Sequence, residues 1–324
     1  MTKQPDSPTR RSALEVRRRL RLAVSELPAG HAGPGVRGEP KQKQGAAMLG
    51  RWLESLPLPE PDVLLDEVTL SVVVASDLQR LAVRAVGPSP LLGPHAVRFL
   101  EQAGADDDER ARLAAAVDQL APDRMGTWLE IGPEGADGGW LLRGPLPMVA
   151  VRPFLPDGEG SDLLMDWAAR HDIDACLALQ RSVNQGTPYI EITVPLPRSL
   201  TGLPGDDARH QLTAALLAFE VLGAPVPPES VRRAVMAHAE GPMRLTVWLA
   251  EPGPARVGMR VPEPNEALVR AFCEAAGAAD EAALAAFTVV AGLGAAAWAE
   301  TFRHATGLGA ELQYALTPLS DPAN

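Results

Sequence analysis

The sequence is poor in the side chains that most often mark a site. Cysteine occurs only at Cys176 and Cys273, too few in 324 residues for a disulfide framework, which points to a reducing, cytoplasmic setting. Lysine occurs only at Lys3, Lys41 and Lys43, so every permanent positive charge from residue 44 onward is an arginine. Aromatic residues make up 4% of the chain and tyrosine occurs twice. No apolar run approaches the ~18 residues of a membrane-spanning helix, and no apolar stretch follows the first basic residues, which predicts neither a membrane span nor a secretory leader. His171, His210, His238 and His304 show no metal-ligand spacing, so no metal site is expected. A Gly-rich phosphate loop and a Gly-x-Ser-x-Gly elbow are both missing. The net charge of −11 argues against nucleic acid as a partner.

What is present is a chain 46% hydrophobic, able to bury a large core, with its charge unevenly spread. Residues 1–45 hold ten Lys or Arg against four Asp or Glu, a balance of +6, and the remainder stands at −17. Ser12–Leu27 has the capping-box spacing of Ser12 and Glu15 and reads as a basic helix, followed by a Gly- and Pro-rich linker to Gly45. The expected organisation is therefore a basic helix and flexible linker over 1–46, then a single domain over 47–320.

The clearest strand pattern lies in Met243–Val261. Met243, Leu245, Val247 and Leu249 share one face and Arg244, Thr246 and Trp248 the other; Val257, Met259 and Val261 oppose Arg256, Gly258 and Arg260. Glu67–Gly87 repeats the scheme, with Arg84 opposite an aliphatic row. Further strands are predicted at Gly126–Gly132, Trp140–Arg143, Met148–Phe154, Pro188–Pro195, Trp298–Ala305 and Ala310–Leu316. Helices are predicted at Met48–Leu56, His95–Ala103, Asp107–Leu120, Ser161–Arg170, Asp206–Leu222, Pro228–His238, Glu266–Ala276 and Asp280–Leu293. An internal repeat supports the order: LAVRAV and its following helices align with VGMRVP and its own, matching Arg84 with Arg260, Phe99 with Phe272 and Gly104 with Gly277.

Strand pairs joined by short turns are antiparallel, and the helix pairs between them cover the same aliphatic face. Closing ten such strands removes the sheet edges and turns the other face inward. The expectation is an α+β fold, a ten-stranded antiparallel barrel surrounded by helices and built from repeated α-β-β-α units. Arg84, Arg152, Arg244, Arg256 and Arg260 would meet inside it with Tyr189, Glu191, Trp128, Glu130 and Trp248. An open two-layer sandwich with a wet arginine face is the alternative architecture.

On these features, and on the RLTVWLAEPGPARVGMRVPEPNEALVRAF and TFRHATGLGAELQYAL blocks, the chain resembles the ABBA-type aromatic prenyltransferases over roughly 48–318, and among them the cyanobactin peptide prenyltransferases. The resemblance implies transfer of a prenyl group from its pyrophosphate to an electron-rich aromatic or peptide acceptor. It implies pyrophosphate binding by Arg84, Arg152, Arg244, Arg256 and Arg260, prenyl or aromatic contacts from Tyr189, Trp128, Trp248 and Tyr314, and proton transfer by Glu191 or Glu130. Tyr314 falls in phase with Leu312, so helix-facing placement is the alternative for it. No tightly bound cofactor is implied, with Mg2+ as an optional companion of the pyrophosphate, no membrane, and a monomer or homodimer. The sequence departs from the family in having no lysine in the barrel, few tyrosines, and Thr69, Ser71 and Val73 where relatives often place a carboxylate. A non-catalytic α+β adaptor of a biosynthetic or secretion system, or a degenerate prenyltransferase-like protein, is the alternative function.

Overall fold

A computed structural model describes residues 18, 47–53, 56, 67–75, 78–132, 135–183, 189–199, 205–250, 256–277, 296–304 and 307–316. Ten strands close into one antiparallel barrel: β1 (Glu67–Ala75), β2 (Leu78–Pro88), β3 (Arg124–Gly132), β4 (Gly135–Pro147), β5 (Ala175–Ser182), β6 (Tyr189–Pro195), β7 (Arg244–Ala250), β8 (Arg256–Pro262), β9 (Trp298–His304) and β10 (Gly307–Ala315). Each pairs with its sequence neighbours, and β1 pairs with β10 to complete the ring. The open sandwich is thereby excluded.

The aliphatic rows face outward. Val68, Leu70, Leu245, Val247, Val257 and Met259 are all buried in one cluster with helix residues such as Leu92, Phe99, Leu212, Phe219 and Leu268. The helix over 47–53 joins this layer through Trp52, which is fully buried and donates its indole N–H to Thr127 on β3 at 3.0 Å. Arg181 on β5, 8% exposed, is clamped from outside by Glu109 of the Asp107–Leu120 helix, with Nε 2.8 and 2.9 Å from its two oxygens. That helix starts where expected because Asp106 accepts the N–H of Glu109, leaving the acidic first turn at the positive end of the helix dipole.

The internal repeat is visible where both copies are described. Arg84 and Arg260 share the inner face, Phe99 and Phe272 are buried in the outer layer, and Gly104 and Gly277 end their helices with φ of 83° and 70°. These are left-handed conformations that a Cβ disfavours, and both N–H groups return to the last helical turn.

The tally of ten strands is right, but not every assignment behind it is. Met148–Phe154 is not a strand: it is one α-turn, Met148–Val151, running into a 3-10 turn, Arg152–Phe154. Pro147 starts that turn and Pro153 sits within it, so no ladder could use this stretch. The missing strand is Ala175–Ser182, whose Ala and Leu residues favour helix locally. Pairing with β4 and β6 on both sides overrides that preference. The Ser89–Ala103 helix also starts earlier than predicted: Pro90 in its first turn is no obstacle, and the helix runs on through Pro94, which lies before the predicted start. The predicted helices Ser12–Leu27 and Asp280–Leu293 and the linker before residue 47 lie outside the described residues, Arg18 excepted. Among the described residues no helix is long and apolar enough to cross a membrane. Cys176 and Cys273 are buried and form no disulfide, and burial pushes Cys176 up to about 12, away from reactivity at neutral pH.

Candidate functional site

The inner face of the barrel is polar, and its composition changes along the axis. At the end where helices join the strands, Arg124 and Arg143 sit opposite each other on β3 and β4, and Arg244 and Arg260 do so on β7 and β8. Trp298 on β9 lies under the second pair, its ring 4.0 Å from the Arg244 guanidinium and 5.2 Å from that of Arg260. Arg260 is 6% exposed and, among the described residues, forms no ion pair, although Glu300 is its direct cross-strand partner. Burial lowers its pKa, and repulsion from Arg84 and Arg143 adds to this against the pull of Glu300 and Glu311. A desolvated guanidinium with no ion-pair partner is a site for an incoming anion.

The middle layer is a network of opposite charges. Arg84 Nη1 donates to Glu311 Oε1 and to Ser71 Oγ, both at 2.8 Å, and Nε reaches Gln180 Oε1 at 3.3 Å. Gln180 in turn donates to Glu191 Oε2 at 3.1 Å, which also accepts the Trp248 indole N–H at 2.9 Å. Burial raises the Glu191 pKa, with Arg84 opposing. Glu300 and Glu311 face each other across β9 and β10. Burial and the neighbouring Glu311 push Glu300 up to about 8, whereas Glu311, despite its own burial, is held below the ordinary carboxylate range by Arg84 and Arg260. Environments that separate two adjacent carboxyls in this way give them different protonation states at neutral pH.

Toward the hairpin-turn end the interior becomes aromatic. Trp128 and Tyr189 lie 5.9 Å apart, and Trp248 and Phe302 lie 5.7 Å apart. The Arg256 guanidinium packs 4.4 Å from the Trp248 ring and 4.3 Å from that of Phe302. Arg80 pairs with Glu130 at 2.6 Å. Asp137 accepts from Ser182 Oγ and the Gly138 N–H, and burial raises it to about 6. Gly258, on the inner face of β8, leaves the room that Glu300 occupies: a Cβ there would collide with Glu300 Oε1 and stand 3.0 Å from the Trp248 ring. Gly258→Ala is therefore expected to cost about 1–3 kcal/mol, read by urea unfolding.

Of the arginines expected to bind pyrophosphate, Arg84, Arg244, Arg256 and Arg260 reach the interior. Arg152 does not: it lies on the helical turn outside the barrel, paired with Asp162 at 2.8 Å, because the stretch that carries it is not a strand. Trp128, Trp248, Tyr189, Glu191 and Glu130 are inside. Tyr314 points outward into the helix layer, as its phase with Leu312 on the outer face of β10 requires. Sequence reasoning missed Glu300, Glu311, Trp298, Phe302, Arg143 and Gln180. For the first four the signal was present, since Trp298, Glu300 and Phe302 alternate with Ala299 and Thr301, and Glu311 with Ala310 and Leu312. Gln180 was hidden with its strand. Among the described residues, no three His, Cys, Asp or Glu side chains converge as a metal-binding group.

A closed ten-stranded antiparallel barrel with helices outside and a charged, aromatic interior is the fold of the ABBA-type aromatic prenyltransferases. AnaPT from Neosartorya fischeri superposes with a TM-score of 0.61 at 10% identity over 91% of both chains. The 6-dimethylallyltryptophan synthase of Micromonospora olivasterospora, in complex with DMASPP and Trp, gives 0.59 at 14% identity over 93% of this chain and 97% of that one. NotF in complex with brevianamide F and DMSPP gives 0.52 at 12% identity over 91% and 99%. No family model matches the sequence. Among curated proteins, a PH domain-containing protein of Dictyostelium discoideum is 26% identical over 236 residues, 71% of this chain and 50% of that protein. The chain thus spans about half the length of that relative.

Proposed function

We propose that this protein transfers a prenyl group from a prenyl diphosphate to an electron-rich side chain of an aromatic small molecule or a modified peptide. The observation that carries the reading is Arg260, buried, without an ion pair among the described residues, beside Arg244 and stacked with it on Trp298, at the arginine-rich end of an enclosed barrel. The diphosphate would lie against these two guanidiniums, with Arg143 nearby, and the allylic chain would run toward Trp128, Tyr189 and Trp248. As the allylic carbon–oxygen bond breaks, its electron pair leaves on the diphosphate, whose growing charge the fixed guanidiniums stabilise more than they stabilise the intact donor. Aromatic faces shelter the positive carbon from water. Glu191, anchored by Trp248 and Gln180, is placed to take the proton that the acceptor loses once the new bond forms. The resemblance to cyanobactin enzymes read from the sequence pattern, which none of the comparisons repeats, would imply a peptide acceptor. The two solved complexes were determined with Trp and with brevianamide F, which favours an aromatic one.

The reading is tested by thermal melting with dimethylallyl and geranyl diphosphate. Saturating donor is expected to raise Tm in the wild type, because a ligand that binds only the folded state stabilises it by mass action. The rise should disappear in Arg244→Ala. Equal melting with and without either donor would favour the adaptor.

A further inference from the structure

A diphosphate entering this barrel meets carboxyl groups as well as guanidiniums. Glu300 is the nearest by sheet position to the arginine pair, standing directly across from Arg260 and from Glu311. Three features set it apart. It is 3% exposed, its Oε1 has no hydrogen-bond partner, and it closes no ion pair with Arg260 although the register places the two side by side. Gly258 provides the space its carboxyl occupies. Glu311, by contrast, is ion-paired with Arg84 through Oε1.

We propose that Glu300 belongs to the diphosphate site and joins it as a neutral carboxylic acid, donating its proton to a phosphate oxygen while Arg260 and Arg244 carry the ion pairing. The inference rests on the prenyl diphosphate reading. The balance is simple: where Glu300 is ionised in the free protein, one proton moves from solvent to its carboxylate on binding, no covalent bond of the donor changes, and the complex holds one negative charge fewer than it otherwise would. The groups facing Glu300 from the surrounding strands favour this state. Glu311 on β10 and Glu191 on β6 repel its anion, whereas Arg260 on β8, Arg84 on β2 and Thr246 on β7 support it. A diphosphate against Arg260 both adds negative charge and removes the strongest of those supports. The proton is already present in the free protein below about pH 8 and must be taken up above it.

Affinity and proton uptake are linked, so the consequence is measurable. The probe is dimethylallyl S-thiolodiphosphate, an unreactive donor analogue whose phosphates are fully ionised at pH 9. It is titrated calorimetrically into the full chain at pH 7 and pH 9, in two buffers of different protonation enthalpy, alongside Glu300→Gln. At pH 9 the wild type is expected to take up about one proton more than the variant, and its affinity to fall about tenfold per pH unit above 8, while the variant stays flat. At pH 7 the two should behave alike. The wild-type buffer comparison reads the uptake even if the variant folds poorly. Equal proton counts and parallel pH slopes in two proteins that both bind would overturn the role of Glu300 and leave prenyl diphosphate binding standing. No binding by the wild type at pH 7 would remove both.

Discussion

Arg84→Met is expected to destabilise the protein by about 3–5 kcal/mol, the cost of leaving a buried carboxylate without its partner. Arg84 and Glu311 each expose only 8% of their side chains, and the contact is 2.8 Å. Removing the guanidinium also strands Ser71 and releases Gln180. The loss has a pH signature. Glu311 is held below its ordinary value in the folded state, so the stability it contributes is present above the unfolded carboxylate pKa and lost as pH falls through the folded one. In Arg84→Met that holding force is gone, so the variant should be impaired most at neutral pH and approach the wild type only as pH falls through the lowered folded-state value of Glu311. The double variant Arg84→Met, Glu311→Gln should recover most of the stability in urea unfolding at pH 7. A single variant as stable as the wild type would mean that the barrel interior is wet enough to solvate Glu311 alone.

The second large effect concerns binding. Arg260→Ala should weaken prenyl diphosphate binding by about 100-fold, since a charge-assisted contact to phosphate in a dry site contributes about 2–3 kcal/mol. Stability should change less than in Arg84→Met, because among the described residues Arg260 closes no ion pair, and losing its buried charge ends repulsion from Arg84 and Arg143 along with its longer-range attraction to Glu300 and Glu311. On that outcome the two arginines, equivalent in the internal repeat, would separate into a structural member and a ligand-binding member. Calorimetric titration of dimethylallyl S-thiolodiphosphate and urea unfolding on the same two variants would show the crossover.

The barrel was legible because its signal is physical and local. Alternation of aliphatic with polar residues, hairpin after hairpin, leaves few ways to bury one face, and closure follows from having ten such strands. Arg84, Arg244, Arg256 and Arg260 were placed correctly for that reason. Arg152 was misplaced because Val149 and Val151 mimic two steps of alternation in a stretch bracketed by prolines. The charge network escaped for another reason. Whether Arg84 is free or paired depends on Glu311, 227 residues away, and no periodicity within one strand shows what sits across a closed barrel. The same holds for Glu300: its place on β9 can be read from sequence, but the unpartnered state of its Oε1 beside Gly258 and Arg260 involves another strand. The carboxylate that relatives often carry on the first strand is absent from Thr69, Ser71 and Val73. In its place Glu311, cross-strand from Val73, sends its carboxylate to the arginine that also holds Ser71.

A crystal structure of the protein with dimethylallyl S-thiolodiphosphate tests the central claim most directly. The account predicts the diphosphate inside the barrel, in contact with Arg244 and Arg260 beside Trp298, with the dimethylallyl group directed toward Trp128, Tyr189 and Trp248. Diphosphate bound only on the outer surface, or an interior from which the analogue is excluded at saturating concentration, would contradict it.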